Sequence, residues 1–356
     1  MMKKHSPQKK EIKEKSHFSF SIVWIFRFYF ILMMSGILIF YPGDTIIFKK
    51  AAASELEVVA PPTLLPLSEQ PFRISHNFLP TVSATGYYVI EKQSGTPLLQ
   101  KNSQVKFLPA STTKVITALT ALDHMSLDEV MTVKRVMSEG QIIGLNVGER
   151  YSLENLLYAI LVHSANDAAY VVADNYKGGY QAFIKLMNEK AKKLGMVNSN
   201  FKNPAGLDDA GQYSTPFDLS VAGRALLKDK TLSKIVSTKK ITISDLDFTR
   251  FLDLVNVNKL LGEIPGLGGL KTGFTESAGQ NLISFYRYQG HEYVIVVIHS
   301  TDRFADTKNI IDWIQTNITY GLPALLPSPT ITPSPTPTPF PSAVIPSFQK
   351  SFFQNP

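Results

Sequence analysis

Cysteine is absent from this chain. That absence removes disulfides, thiolate metal sites and cysteine nucleophiles together, although it does not fix the compartment. Histidine supplies no metal site either, because His124, His291 and His299 have no companions at metal-ligand spacing. A phosphate loop is missing, since the full Gly-x4-Gly-Lys-Ser/Thr pattern does not occur. Neither a cofactor nor a metal is expected, and no internal repeat is visible. The chain also lacks a basic stripe interleaved with aromatics. Its net charge is +7, but Lys3, Lys4, Lys9, Lys10, Lys13 and Lys15 crowd one terminus against Glu11 and Glu14. Much of the excess therefore belongs to a tail, and no nucleic-acid partner is expected.

What is present begins with an apolar run. Phe18 to Tyr41 carries one charge, Arg27. As a helix it covers ~36 Å, enough to cross a bilayer core of ~30 Å. The basic flank predicts residues 1–17 as a cytoplasmic tail, 18–41 as a single-pass membrane anchor, and the rest outside the cytoplasm. A cleaved signal sequence with secretion is the competing reading, because Ala51-Ala52-Ala53-Ser54 resembles a cleavage site. The length of the run and its distance from that site favour the anchor. Residues 42–77, with Pro42, Pro61, Pro62, Pro66 and Pro71, read as a linker. Residues 322–356 contain PSPTITPSPTPTPFPS, which favours extended polyproline conformation and cannot bury a core. A disordered tail is expected there.

One domain, 78–321, remains. Gly86 to Glu91 reads as a strand, followed by a turn at Ser94-Gly95 and a second short strand. Thr113–Leu122, Leu153–Val162, Asp167–Tyr176 and Tyr180–Leu194 read as helices. Gln280–Tyr286 and Tyr293–His299 read as a hairpin about Gln289-Gly290. Asp306–Ile318 reads as a closing helix with Trp313 on its apolar side. Strands at both ends and helices between predict an α/β domain, an antiparallel sheet built from the two ends with a helical insert.

Three short patterns lie in one order: Ser111-Thr-Thr-Lys114, Ser164-Ala-Asn166 and Lys271-Thr272-Gly273. Ser-x-x-Lys alone is weak, since it also starts at Ser6, Ser103, Ser199, Ser237 and Ser347. Ser111 differs in its setting, at a helix start after Pro109. On a helix, residues three apart share a face, which puts the Lys114 amine beside the Ser111 hydroxyl. A serine needs a base to become a nucleophile, and a lysine serves once burial and a nearby cation lower its pKa. Lys271 is the candidate for that cation. Ser164 suits a proton relay to a leaving amine, and Asn166 a hydrogen bond to a substrate carbonyl. Glycines around Lys271 mark a close backbone approach, where a peptide could lie along a strand edge. Lys271 and Thr272 would face its terminal carboxylate, and the Phe274 and Ser111 N–H groups would form an oxyanion hole. The bland alternatives are an N-cap serine, a solvated lysine, a capping loop at Asn166-Asp167 and a plain turn at Gly268–Gly273. His163 reads as a packed histidine.

Longer stretches carry a resemblance. PASTTK at 109–114, SANDAA at 164–169, FKNPAGLDDAGQYSTPFDLS at 201–220, NVNKLLG at 256–262 and GLKTGFTESAGQNL at 269–282 resemble the serine D-alanyl-D-alanine carboxypeptidases, the low-molecular-mass penicillin-binding proteins. The resemblance implies a β-lactamase/transpeptidase-like fold, with a five-stranded antiparallel sheet flanked by helices and a helical subdomain. It implies an acyl-enzyme on Ser111, with Lys114 as general base and Ser164 as proton relay. Asn166, Lys271, Thr272, Gly273 and Phe274 fall at its substrate-binding positions. The implied substrate is a peptidoglycan stem peptide ending in D-Ala-D-Ala, with β-lactam antibiotics as acylating inhibitors. This chain has Ala165, Val257 and Phe274 where family members carry glycine, and some carry arginine and histidine. The alternatives are an endopeptidase or a β-lactamase on the same fold, or a silent wall-binding protein. A β-lactamase would need a deacylating glutamate, for which Glu189 and Glu263 lack a convincing context.

Overall fold

The computed structural model describes residues 26–33, 69–74 and 78–321. The chain divides into two compact units, Met1–Pro66 and Leu67–Pro356. In the first, residues 26–33 are helical and exposed. The rest of the 18–41 run, the 1–17 tail, most of the 42–77 linker and the 322–356 tail lie outside the described residues. Among the described residues no helix is long and apolar enough to cross a membrane.

The second unit is built on a five-stranded antiparallel sheet. Its strands are β2 (Gly86–Glu91), β3 (Pro97–Lys101), β8 (Leu267–Thr275), β9 (Gly279–Tyr288) and β10 (His291–Ser300), in the order β3-β2-β10-β9-β8. Both chain ends thus feed one sheet, as the pattern of strands predicts. The β9–β10 turn falls at Gln289-Gly290, both at positive φ (49° and 84°), the geometry of a tight hairpin.

The middles of β2, β9 and β10 are buried on both faces, which is why they read as unbroken apolar runs. Alternate residues serve different cores. Tyr88, Ile90, Val294, Val296 and Ile298 face the helical insert, where α1 (Lys114–His124) and α5 (Pro216–Lys228) pack. Tyr87, Val89, Tyr293, Ile295 and Val297 face α7 (Arg303–Asn317) through Ile310, Ile311, Trp313 and Ile314.

The insert between β3 and β8 also holds α2 (Leu153–Tyr158), α3 (Asn166–Asn175), α4 (Gly179–Leu194) and α6 (Lys230–Val236). Two small hairpins, β4 (Val130–Thr132) with β5 (Arg150–Ser152) and β6 (Lys240–Ser244) with β7 (Phe251–Val255), trim its edges. Helix α7 starts at Arg303, three residues before the sequence pattern suggests, because Asp302 caps it by accepting from Phe304 and Ala305 N–H. Within the stretch read as linker, β1 (Gln70–Arg73) pairs with β11 (Ile318–Gly321). Arg73 then lies over the Trp313 ring at 5.2 Å, an attachment that proline content does not reveal.

Candidate active site

Ser111 lies in a 3-10 turn, Ala110–Thr113, just ahead of α1. It caps neither element, because Pro109 and Thr113 hold those positions. The turn is gripped from both sides. A Cβ on Gly206 would lie 1.8 Å from the Ala110 carbonyl oxygen, and one on Gly273 would lie 3.0 Å from the Ser111 nitrogen. Only glycine fits at 206, whereas a Cβ at 273 would force the strand and the turn apart by a few tenths of an ångström. Asn281 Nδ2 adds a bond to the Leu108 carbonyl at 3.0 Å. So pressed, Ala110 adopts φ 47°, a left-handed setting that is costly for a residue with a Cβ.

Lys114 opens α1 and is wholly buried. Its Nζ lies 2.8 Å from Ser111 Oγ, 2.6 Å from Asn166 Oδ1 and 2.7 Å from the Ala205 carbonyl. Two of these partners only accept, whereas the serine hydroxyl can also donate. A neutral amine, with two N–H groups and one lone pair, matches that set. Burial pushes the Lys114 pKa down to about 7, and the Asp167 carboxylate pulls it partly back.

Ser164 follows a π-helical turn, Ala159–His163, that ends α2. It adopts φ 66°, so the chain reverses there and α3 begins two residues later. Its side chain is buried. Asn166 is the first residue of α3. While its Oδ1 receives Lys114, its Nδ2 donates to the Glu139 carbonyl at 2.8 Å. A Cβ on Gly140 would sit 2.5 Å from that Nδ2, so the loop closes on Asn166 only with glycine there. Asp167 Oδ2 holds the same loop by accepting from Ile143, Gly144 and Leu145 N–H at 3.1, 2.8 and 3.1 Å. His163 is half-buried, its Nε2 at 2.8 Å from Gln141 Nε2, and burial lowers its pKa.

On the far side of Ser111 runs the edge strand β8. Lys271 and Thr272 are buried, and Lys271 Nζ donates to the Thr272 carbonyl at 2.9 Å. The Lys271 pKa falls well below its ordinary value, first through burial, then through Lys114 and Arg303. Burial is the leading cause for both lysines, and the two amines are close enough to repel each other, as the Lys271 shift shows. Gly273 gives its carbonyl to Arg303 Nη1 at 2.7 Å, and Phe274 is 53% exposed at the strand's outer end. All eight residues singled out in the sequence thus belong to the elements that converge on the Ser111 turn.

The sequence and the fold that carry this site recur in known proteins. A sequence model of the family described as D-alanyl-D-alanine carboxypeptidase matches residues 73–302. The chain belongs to this family. It is 34% identical to D-alanyl-D-alanine carboxypeptidase DacF of Bacillus subtilis over 235 residues, covering 63% of this chain and 60% of DacF. It is 30% identical to D-alanyl-D-alanine carboxypeptidase DacC of Escherichia coli over 251 residues, covering 66% and 62%. The chain therefore spans under two thirds of the length of these curated relatives. The crystal structure of the Streptomyces K15 DD-transpeptidase superposes with a TM-score of 0.63 at 30% identity, covering 66% of this chain and 98% of that one.

Sequence reading missed four contributors. Nothing local marks the Ala205 carbonyl, the Asp167 loop clamp or Arg303, since each acts across long sequence separation. Asn203, which shapes the Ala205 turn, carried a signal in its Asn-Pro-Ala-Gly context. Glu189 and Glu263 are both exposed, and Glu189 pairs with Lys185 at 3.8 Å on α4. Neither joins the Ser111 cluster.

Proposed function

We propose that this protein is a serine D-alanyl-D-alanine carboxypeptidase that removes the terminal D-alanine from peptidoglycan stem peptides in cell-wall remodelling. The observation that carries the reading is the 2.8 Å contact between Ser111 Oγ and the wholly buried Lys114 Nζ, in a chain of this family.

Neutral Lys114 takes the Ser111 proton as Oγ attacks the carbonyl of the penultimate D-alanine. Negative charge collects on the carbonyl oxygen, which the N–H groups of Ser111 and Phe274 stabilise. The C–N bond then breaks. Ser164 passes the proton held by Lys114 to the departing amine, leaving an ester on Ser111. Water, deprotonated in turn by Lys114, cleaves that ester. Asn166 meets the substrate amide with the donor capacity of its Nδ2. Lys271 and Thr272, with Arg303 close by, receive the terminal carboxylate, whose charge restores the proton affinity that burial takes from Lys271. Gly273 lets the peptide's strand edge lie close to the Ser111 turn. β-Lactams acylate the same hydroxyl.

The charge pattern of residues 1–41 supports an anchor at 18–41, with 1–17 in the cytoplasm and the domain outside. The proline-bearing residues 42–66 would then tether the domain, and 322–356 would form an extended tail. Retention in membranes after alkaline washing checks the anchor, whereas an N-terminus near Ala51 on the mature protein would mean cleavage and release.

A second reading, transfer of the acyl group to an amine in place of water, is favoured by the near-complete coverage of the DD-transpeptidase structure. One assay separates these readings. A peptide ending in D-Ala-D-Ala is incubated with the protein, with and without an amine acceptor. Free D-alanine with hydrolysed peptide supports the carboxypeptidase. Predominant amide product supports transfer, and cleavage of a cross-linked dimer supplied in parallel, with the linear peptide left intact, supports an endopeptidase.

A further inference from the structure

The segment Asn203–Leu207 is folded around one side chain. Asn203 is 4% exposed. Its Oδ1 accepts from Gly206 N–H at 2.7 Å and Leu207 N–H at 3.0 Å, and its Nδ2 donates to the Leu207 carbonyl at 2.9 Å. Gln212 completes the brace by donating to the same Leu207 carbonyl at 2.6 Å. The turn is seated as well as closed. The Pro204 carbonyl takes the Thr117 hydroxyl of α1 at 2.7 Å, and Gly206, at φ 85°, lies directly on the Ala110 carbonyl. Between these fixed points the Ala205 carbonyl has one outlet, toward Lys114 Nζ at 2.7 Å.

We propose that Asn203 is a positioning residue for the proton transfer, an inference that rests on the base role assigned to Lys114. By folding 203–207 it holds the Ala205 carbonyl on one N–H of the amine. Asn166 Oδ1 holds the other N–H, and the lone pair then has one remaining direction, toward Ser111 Oγ. Without the Ala205 acceptor the amino group turns about its terminal bond, and productive orientation becomes one setting among several. Small errors of this kind are costly in rate. The same carbonyl also favours the charged amine, because an ammonium group uses all three of its N–H donors.

The test is the rate of benzylpenicillin acylation per titratable active site, followed across neutral pH in Asn203→Ala. The proposal predicts a plateau rate at least about tenfold below wild type, with the midpoint of the rising limb moved to lower pH. An unchanged per-site rate, an unmoved or raised midpoint, or a mere loss of active-site number would overturn it, since those are the signs of a structural role alone. Asn203→Asp guards against a variant that does not fold. It keeps the acceptor for Gly206 and Leu207 N–H but adds negative charge. Its plateau should stay within about threefold of wild type, far above the loss expected of misplaced groups, with the midpoint raised. A plateau as low as that expected for Asn203→Ala would refute the positioning role. Failure of the underlying reading is distinct, because wild type itself would then form no adduct on Ser111.

Discussion

Lys114 Nζ lies 2.8 Å from Ser111 Oγ while the whole lysine is buried. Burial is what makes this pair reactive, for it lowers the amine to about pKa 7 and leaves it half-neutral near physiological pH. Acylation by a β-lactam should therefore rise with pH through about 7, close to tenfold per unit below that point, and then level off. A pH series of acylation rates checks this. Lys114→Ala should lose about 10²–10⁴ in rate at the plateau.

The same burial has a cost in stability. An unfolded lysine titrates near 10.5 and this one near 7. Between those values the unfolded chain holds a proton that the folded chain does not, so this group makes stability rise with pH there. Below 7 the buried charge carries its full cost, on the order of 3–5 kcal/mol. Lys114→Met, which keeps the bulk and removes the charge, should be more stable than wild type below pH 7, with the gap closing towards pH 10.5. Urea unfolding at both pH values measures it. A gap of the same size at both would show that charge burial is not its cause.

Gly273 should tolerate a methyl group structurally but not catalytically. The added Cβ would meet Ser111 N, Ala110 Cβ and the Pro109 carbonyl at 3.0–3.1 Å, so β8 and the serine turn must part by a few tenths of an ångström. Gly273→Ala is expected to unfold near the wild-type temperature while acylating about tenfold more slowly. Thermal melts paired with penicillin labelling separate the two effects.

Lys271 should read the free carboxylate that distinguishes a chain end from an internal bond. A charge-assisted hydrogen bond is worth about 1.5–3 kcal/mol. Amidating the substrate terminus should then lower kcat/KM by about 10- to 150-fold in wild type. In Lys271→Ala, where the partner is already gone, amidation should matter little. Equal sensitivity in both proteins would remove Lys271 from carboxylate recognition.

Much of this was legible in the sequence for identifiable reasons. Ser111 and Lys114 are three apart on consecutive helical turns, so local geometry alone brings them together. The hairpin at Gln289-Gly290 and the α7 pattern around Trp313 are likewise local signals. What stayed hidden is what the tertiary fold supplies. The third contact on Lys114 comes from a main-chain carbonyl 91 residues away. Arg303 reaches Gly273 across 30 residues. The burial of Lys271 is likewise a product of the folded sheet and insert, and its place on a strand does not show it.

The central claim is that Ser111 is the nucleophile and Lys114 its base. Peptide mapping by mass spectrometry after exposure to benzylpenicillin tests it most directly. The account predicts one penicilloyl adduct, on the peptide holding Ser111, lost in Ser111→Ala and slowed beyond detection in short exposures of Lys114→Ala. An adduct that persists in Ser111→Ala, or its absence from folded wild-type protein, would contradict it.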